Sequence, residues 1–383
     1  MDTEKERELV VIAKIQEVRP IEGKDRIELA TVENYNVIVG KGEYKVGDLC
    51  VYVFYDVILP QKPEFEFLRS RCWSPLYQGF RIREMKMAGE FSSGIVFPLS
   101  ILPTSLPIRE GLELTDLIGA KKYDPEALKE RNALANKKDN SGPVLKFFLQ
   151  FKLFRFLFFR HKKAPVGYPD RVSKSSEINI QKNFGSLKNS GHTFIKTEKL
   201  EGQSSCYCLI PKGRFSKKVK YQFYSHNAIR YPNDGSNWDL VSKQFNMESK
   251  LRRLKEYYGI NFAIEGEIVG PGIQSNIYKF DKINYFVFRM FDVDTGRILP
   301  QAEMENVCQK VDLVCVPVLD WTFRLGNKLT VASIVKSSDG ISALADVKRE
   351  GFIITSVKDP TLRAKVKSEA YKIWFEKKNP VNE

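Results

Sequence analysis

Residues 8–102 alternate apolar and polar side chains in four runs: ELVVIAKIQEV, RIELATVENYNVIVG, GDLCVYVFYDVIL and GFRIREMKMAGEFSSGIVFPL. Glu22-Gly23-Lys24-Asp25 and Lys41-Gly42 supply turns between them. Alternation at period two places successive side chains on opposite faces of a strand, so this stretch predicts about five short strands in a small barrel. Residues 116–165 change to a polar, helix-forming composition, DPEALKERNALANKKDNSG, and then to VLKFFLQFKLFRFLFFRHKK. The second segment predicts a helix over 144–160. Its seven phenylalanines between Phe147 and Phe159 are interrupted by Lys152 and Arg155, which rule out a membrane span and leave a basic amphipathic face. That face either packs between domains or meets RNA or a membrane surface. From Val166 onward, strand patterns (HTFIKTEKL, SSCYCLIPK, YQFYSH, NYFVFRMFDVD) alternate with a helix around NWDLVSKQFNMESKLRRLKEYYG. There Trp238, Val241, Phe245, Leu251, Leu254 and Tyr258 keep helical spacing.

The expected organisation is α+β in two domains: a β-barrel of the OB-fold kind over 1–115, a basic helical linker over 116–165, and a domain of antiparallel sheets flanked by helices over 166–383. A length of 383 residues suits two cores.

Charge changes this picture by its distribution. The chain carries 61 Lys+Arg against 47 Asp+Glu, a formal +14, and a polyanionic partner is the first class it suggests. Residues 1–120 hold 15 basic and 19 acidic side chains, so the remainder carries the whole excess. On the acidic barrel only a local stripe could hold RNA. Arg81, Arg83 and Lys86, read as alternating on one strand, are the candidates, with a solvated strand face as the alternative. The six cysteines and three histidines show no zinc-ligand spacing, so any metal would be bound by carboxylates. The charged start MDTEKEREL and the lack of an apolar run of about 18 residues lead us to expect a soluble, intracellular protein.

KxxG occurs at Lys86, Lys188, Lys199 and Lys348, close to chance for this composition. Context separates Lys199, which lies in TEKLEGQSSCYCLI between two strand patterns, with Gly202 closing a turn through which a nucleotide could approach the backbone. Downstream follow EGEIVGPGIQSN, YFVFRMFD, REGFIITS and RAKVKSEAY. In this ordered set the chain resembles the covalent nucleotidyltransferases, most closely the ATP-dependent RNA ligases with an N-terminal OB domain. The resemblance spans roughly Lys174 to Tyr371 and extends weakly into the first domain.

The resemblance implies that Lys199 attacks the α-phosphorus of ATP to form lysyl-AMP, passes AMP to an RNA 5′-phosphate, and completes sealing when a 3′-hydroxyl displaces AMP. It assigns Lys365 and Lys367, side by side on one strand face, to the α-phosphate, where as nearby cations they would lower the pKa of Lys199. It assigns Glu201, Glu350 and Glu267 to Mg²⁺ or Mn²⁺, with Glu267 also reading the ribose, and Phe288 to stacking on adenine. Glu198 would accept from the adenine amino group. Asn227 and Arg230 would contact the nucleotide. Sixteen residues follow Lys367, so no C-terminal OB domain is expected.

Two departures from the family pattern affect the triphosphate: His226 stands where an arginine is expected in Ser225-His226-Asn227, and Asn179 where an arginine would orient pyrophosphate. The leading expectation is a monomeric RNA ligase for 5′-phosphate and 3′-hydroxyl ends, at nicks or breaks in structured RNA. The alternatives are an RNA-binding protein on a catalytically weakened ligase fold and a DNA-nick ligase.

Overall fold

The computed structural model describes residues 8–123, 172, 177–212, 218–225 and 228–378. The Phe-rich segment at 144–160, most of the linker over 116–165, and both His226 and Asn227 lie outside the described residues. The chain divides into two compact units, Met1–Phe159 with Lys372–Glu383, and Arg160–Tyr371.

In the first unit the expected barrel is present. A five-stranded sheet runs β10-β4-β1-β2-β3, formed by Ile95–Phe97, Leu49–Val53, Val10–Pro20, Ile27–Val32 and Tyr35–Gly40. A four-stranded sheet runs β11-β5-β7-β6, formed by Lys121–Lys122, Val57–Pro60, Gly79–Ile82 and Trp73–Ser74. The long β1 pairs with β4 through Val10–Lys14 and with β2 from Ile15 on, and its register slips between Ile15 and Glu17. Such a bulge bends a strand and lets one strand serve both pairings. Alternation then buries one side: in β3, Tyr35, Val37 and Val39 enter the core while Asn36, Ile38 and Gly40 remain half-exposed. The last described helix, Glu369–Lys378, contributes Lys372 to this unit, where it pairs with Glu84 at 2.5 Å and lies over the Tyr55 ring at 4.3 Å.

The basic stripe is not there. Arg81 ends in β7 while Lys86 belongs to a separate hairpin, β8 (Glu84–Met87) with β9 (Glu90–Ser93), and exposed Arg83 falls at the break. Arg81 is 7% exposed, with its guanidinium 3.8 Å from the centroid of the Tyr123 ring. Alternation along the sequence could not show the strand break or the tyrosine that covers Arg81.

The second unit holds two further sheets. A five-stranded one runs β12-β22-β21-β13-β20: Ile178–Asn179, Arg363–Lys367, Gly351–Ser356, Thr193–Lys199 and Val318–Arg324. A six-stranded one runs β16-β15-β14-β17-β18-β19: Ile229–Arg230, Val219–Ser225, Gln203–Pro211, Phe262–Val269, Asn284–Asp292 and Val314–Cys315. Pairing is antiparallel as expected, except that β12 joins β22 and β19 joins β18 in parallel. One face of the five-stranded sheet packs Phe194, Phe352, Ile354, Ala364 and Val366 against residues including Ile180, Leu187 and Ile334. Each such full burial contributes roughly 1.5–3 kcal/mol.

The helix expected around residues 237–259 is two helices, Asn237–Gln244 and Met247–Tyr258. Asn246 between them sits at φ 50°, a left-handed conformation that ends the first helical run. Ser236 caps the first by accepting from the Asp239 N–H, and Gly259 at φ 76° closes the second. Among the described residues no helix is long and apolar enough to cross a membrane.

Candidate active site

Strand register assembles the site. Lys199 pairs with Gly351, which pairs with Lys367; Thr197, Ile353 and Lys365 form the next row, and Ile195, Thr355 and Arg363 the one beyond. With side chains alternating between faces, Lys199, Lys367, Lys365 and Arg363 leave one side of the sheet, while Ala364 and Val366 enter the core on the other. The expected common face of Lys365 and Lys367 is therefore present. Glu350, at the mouth of β21, joins the lysines: its Oε2 accepts from Lys199 Nζ at 2.7 Å, and its Oε1 lies 3.5 Å from Lys367 Nζ.

A cleft opens above this face, lined by Lys199, Glu198, Thr197, Leu200, Ile353, Arg363 and Glu177 from one side and Ser204, Glu267 and Phe288 from the six-stranded sheet. Apolar Leu200, Phe288, Val316 and Ile353 among convergent charges suit a small ligand that is part apolar and part charged. Phe288 and Glu267 thus meet Lys199 across one cleft although 89 and 68 positions separate them in the chain.

The charges set one another. Burial is the largest influence on Lys199 and disfavours its charge, but the carboxylates of Glu350, Glu267 and Glu177 outweigh it and hold the amine above the ordinary lysine range. Glu350 is held low despite burial because Lys199 and Lys367 face it. Burial, with the charge of Glu350 adding to it, pushes Glu267 up to about 8 and Glu201 up to about 7. The expected lowering of Lys199 by Lys365 and Lys367 is outweighed here, with Glu350 standing between Lys199 and Lys367 and pairing with both.

Glu201 is buried, with Oε1 accepting from the Ser275 N–H at 3.4 Å and Oε2 without a hydrogen-bond partner. Its own N–H donates to the Tyr278 hydroxyl at 2.8 Å. Among the described residues no three carboxylate, histidine or cysteine side chains are gathered as a ready metal site. Of Glu201, Glu267 and Glu350, the last is engaged by Lys199 and Lys367. An oxygen donor set with one buried unpartnered atom fits a hard cation that keeps waters in its shell.

Two other expectations are changed by the geometry, while Glu198 lines the cleft with its Oε2 accepting from the Ala343 N–H at 2.8 Å and its buried Oε1 without a hydrogen-bond partner. A Cβ on Gly202 would lie 2.3 Å from the Ile268 carbonyl oxygen and 2.9 Å from Glu267 Cγ, so the glycine admits a neighbouring strand and does not open the backbone to a ligand. Arg230 stacks on Trp238, 4.5 Å from the ring centroid, and Trp238 donates to the Ser204 carbonyl at 3.0 Å, so Arg230 neighbours the cleft wall without lining it.

Sequence reasoning missed Glu177 and Arg363. They form an ion pair at 3.1 Å inside the cleft, beside the buried pair Arg289–Glu265 at 2.5 Å. Arg363 was legible, since it lies two residues before Lys365 on the same face; Glu177 enters only through the short parallel strand β12 and carried no signal.

Residues 192–372 match the RNA ligase family, and residues 9–99 match an OB-fold domain family. A search of functionally curated proteins returned no match. Among solved structures, a Naegleria gruberi RNA ligase with pyrophosphate is similar at TM-score 0.76 and 22% identity, covering 97% of this chain and 99% of that one. A point mutant of that ligase with ATP and Mn gives 0.76 and 22% over 97% and 99%, and another with AMP and Mn gives 0.75 and 22% over 95% and 98%. Likeness at that identity establishes a common fold across both units.

Proposed function

We propose that this chain, whose residues 192–372 match the RNA ligase family behind an OB-fold match at residues 9–99, seals RNA 5′-phosphate and 3′-hydroxyl ends as a monomer, using ATP and a divalent cation through lysyl-AMP on Lys199. The observation that carries the reading is the convergence of Lys199 and Lys367 on Glu350, in a cleft walled by Phe288 and Glu267. The AMP, ATP and Mn held by the Naegleria ligase structures support the choice of nucleotide and metal.

Lys199 must be uncharged to attack. While Glu350 holds its amine at 2.7 Å the lysine stays protonated and idle. Glu350 and Glu201 would hold the cation, which when bound would draw negative charge off the α-phosphate. With Glu350 engaged elsewhere its pull on Lys199 is removed, and burial lowers the Lys199 pKa against Glu267 and Glu177 alone. The Lys199 Nζ–phosphorus bond then forms as the bond from phosphorus to pyrophosphate breaks. Lys367, released from Glu350, and Lys365, aligned with it on β22, meet the growing phosphoryl charge. Phe288 offers its ring to the purine, and Glu267 faces the ribose from the opposite wall.

The test is sealing of a nicked RNA duplex with ATP and Mn²⁺. Sealing of 5′-phosphate to 3′-hydroxyl ends is expected. Equal sealing of a nick whose 3′-terminal sugar is 2′-deoxyribose would favour the DNA reading, because the 2′-hydroxyl is the group that distinguishes them; binding without sealing would favour the weakened fold.

A further inference from the structure

Glu350 and Lys367 sit where their strands end. β21 starts at Gly351, β22 stops at Lys367, and those two residues are the last pair of the ladder. A ladder frays at its end, so the register of the two side chains depends on what fastens the chain just beyond it. Ser368 is that fastening. Its N–H donates to the Glu350 carbonyl at 2.9 Å, which carries the pairing one residue past the strand. Its hydroxyl donates to Asp339 Oδ1 at 2.6 Å and accepts from the Tyr371 N–H at 2.9 Å, capping the helix Glu369–Lys378. Ser368 is 1% exposed, so water does not stand in for a lost partner.

Asp339 is held from a second direction. The carbonyls that end the helix Val331–Ser337 have no partner within it. They accept from the Arg349 guanidinium, Ser337 at 3.4 Å and Ser338 at 3.0 Å, and the Asp339 carbonyl accepts from it at 3.2 Å. The Arg349 N–H also donates to the Gly340 carbonyl at 3.0 Å. Arg349 precedes Glu350 and Ser368 follows Lys367 in the chain, so the turn at 338–340 grips both strands beside the two charged side chains. Resting on the function proposed above, we infer that Ser368 and Asp339 are positioning residues for adenylylation: their hydrogen bond holds Lys367 where, once it leaves Glu350, its ammonium meets the charge growing on the α-phosphate. Neither residue lines the cleft. Displacing a charge-stabilising group by about 1 Å can cost on the order of 100-fold in rate. Because Glu350 occupies Lys367 before reaction, that loss falls on the rate at saturating ATP and leaves the half-saturating ATP concentration in place.

The experiment follows single-turnover labelling of the full-length chain by α-labelled ATP with Mn²⁺ over a range of ATP concentrations, well below the melting temperature of each variant. Ser368→Ala and Asp339→Ala are each expected to slow the saturating rate by about tenfold or more, with half-saturation within about twofold of wild type. The double alanine variant is expected to be no slower than Ser368→Ala, since both changes delete one contact. Asp339→Asn keeps an acceptor for the hydroxyl and is expected within about threefold of wild type. Asp339 is half-buried, so its two variants carry the test should Ser368→Ala fail to fold. Folded alanine variants that label at the wild-type rate, single losses that multiply in the double variant, or an Asn variant as slow as the Ala one would overturn the inference and leave the proposed function standing. Wild type that takes no label would overturn the proposed function and this inference with it.

Discussion

Replacing Glu267 with Gln tests the electrostatics of the cleft without its ligands. Burial pushes this carboxyl from the usual 4.5 up to about 8, against the pull of Lys199 and of Ser204, whose hydroxyl donates to Oε2 at 3.0 Å. The folded protein therefore retains a proton that the unfolded chain releases near 4.5. The unfolded state binds fewer protons across this interval, so stability falls as pH rises. Each pH unit is worth about 1.4 kcal/mol, and the interval from 4.5 to about 8 amounts to an upper bound of about 5 kcal/mol. Because the cleft is open to water at one end, the loss expected is several kcal/mol. Gln keeps the shape and the Ser204 bond and cannot ionise. Guanidinium unfolding of the two proteins, followed through Trp238 and Trp321, should give stabilities within about 1 kcal/mol at pH 5, with the variant increasingly the more stable up to pH 9. Parallel curves, or a variant that loses ground as pH rises, would refute the assignment of a protonated Glu267 at neutral pH.

Three further outcomes follow from the same geometry. Gly202→Ala should lower stability by about 1–3 kcal/mol and adenylylation with it, since its Cβ meets the Ile268 carbonyl; a melting temperature equal to wild type would contradict the close approach. Arg81→Ala should weaken the barrel by about 0.5–2 kcal/mol through the lost Tyr123 stack while RNA affinity, read by filter binding, stays unchanged. Asn179→Arg, beside Lys365 in the β12–β22 register, should raise the adenylylation rate at limiting ATP by adding a guanidinium near the leaving pyrophosphate; no gain would remove Asn179 from the triphosphate account.

Much of the site was legible because the chemistry sits on strands whose parity is visible. The i,i+2 spacing of Lys365 and Lys367 gave their common face, and TEKLEG placed Lys199 at a strand end; both appear in β22 and β13. The contact of Glu350 with both lysines was not legible, since it needs three strands brought into register from positions 199, 350 and 367. Arg81 misled for a related reason: alternation reports which residues share a face, and says nothing of an aromatic ring that arrives from position 123 to cover it. The break at Asn246 escaped because apolar spacing continues across it while the backbone does not.

The central claim is that Lys199 carries the adenylyl group. Incubating the full-length chain with α-labelled ATP and Mn²⁺, then locating the label by peptide mass spectrometry, tests it most directly. One AMP adduct is expected, on Lys199, stable to alkali and lost in acid as a phosphoramidate is, and absent in Lys199→Ala. No adduct, or a label that survives in Lys199→Ala, would contradict it.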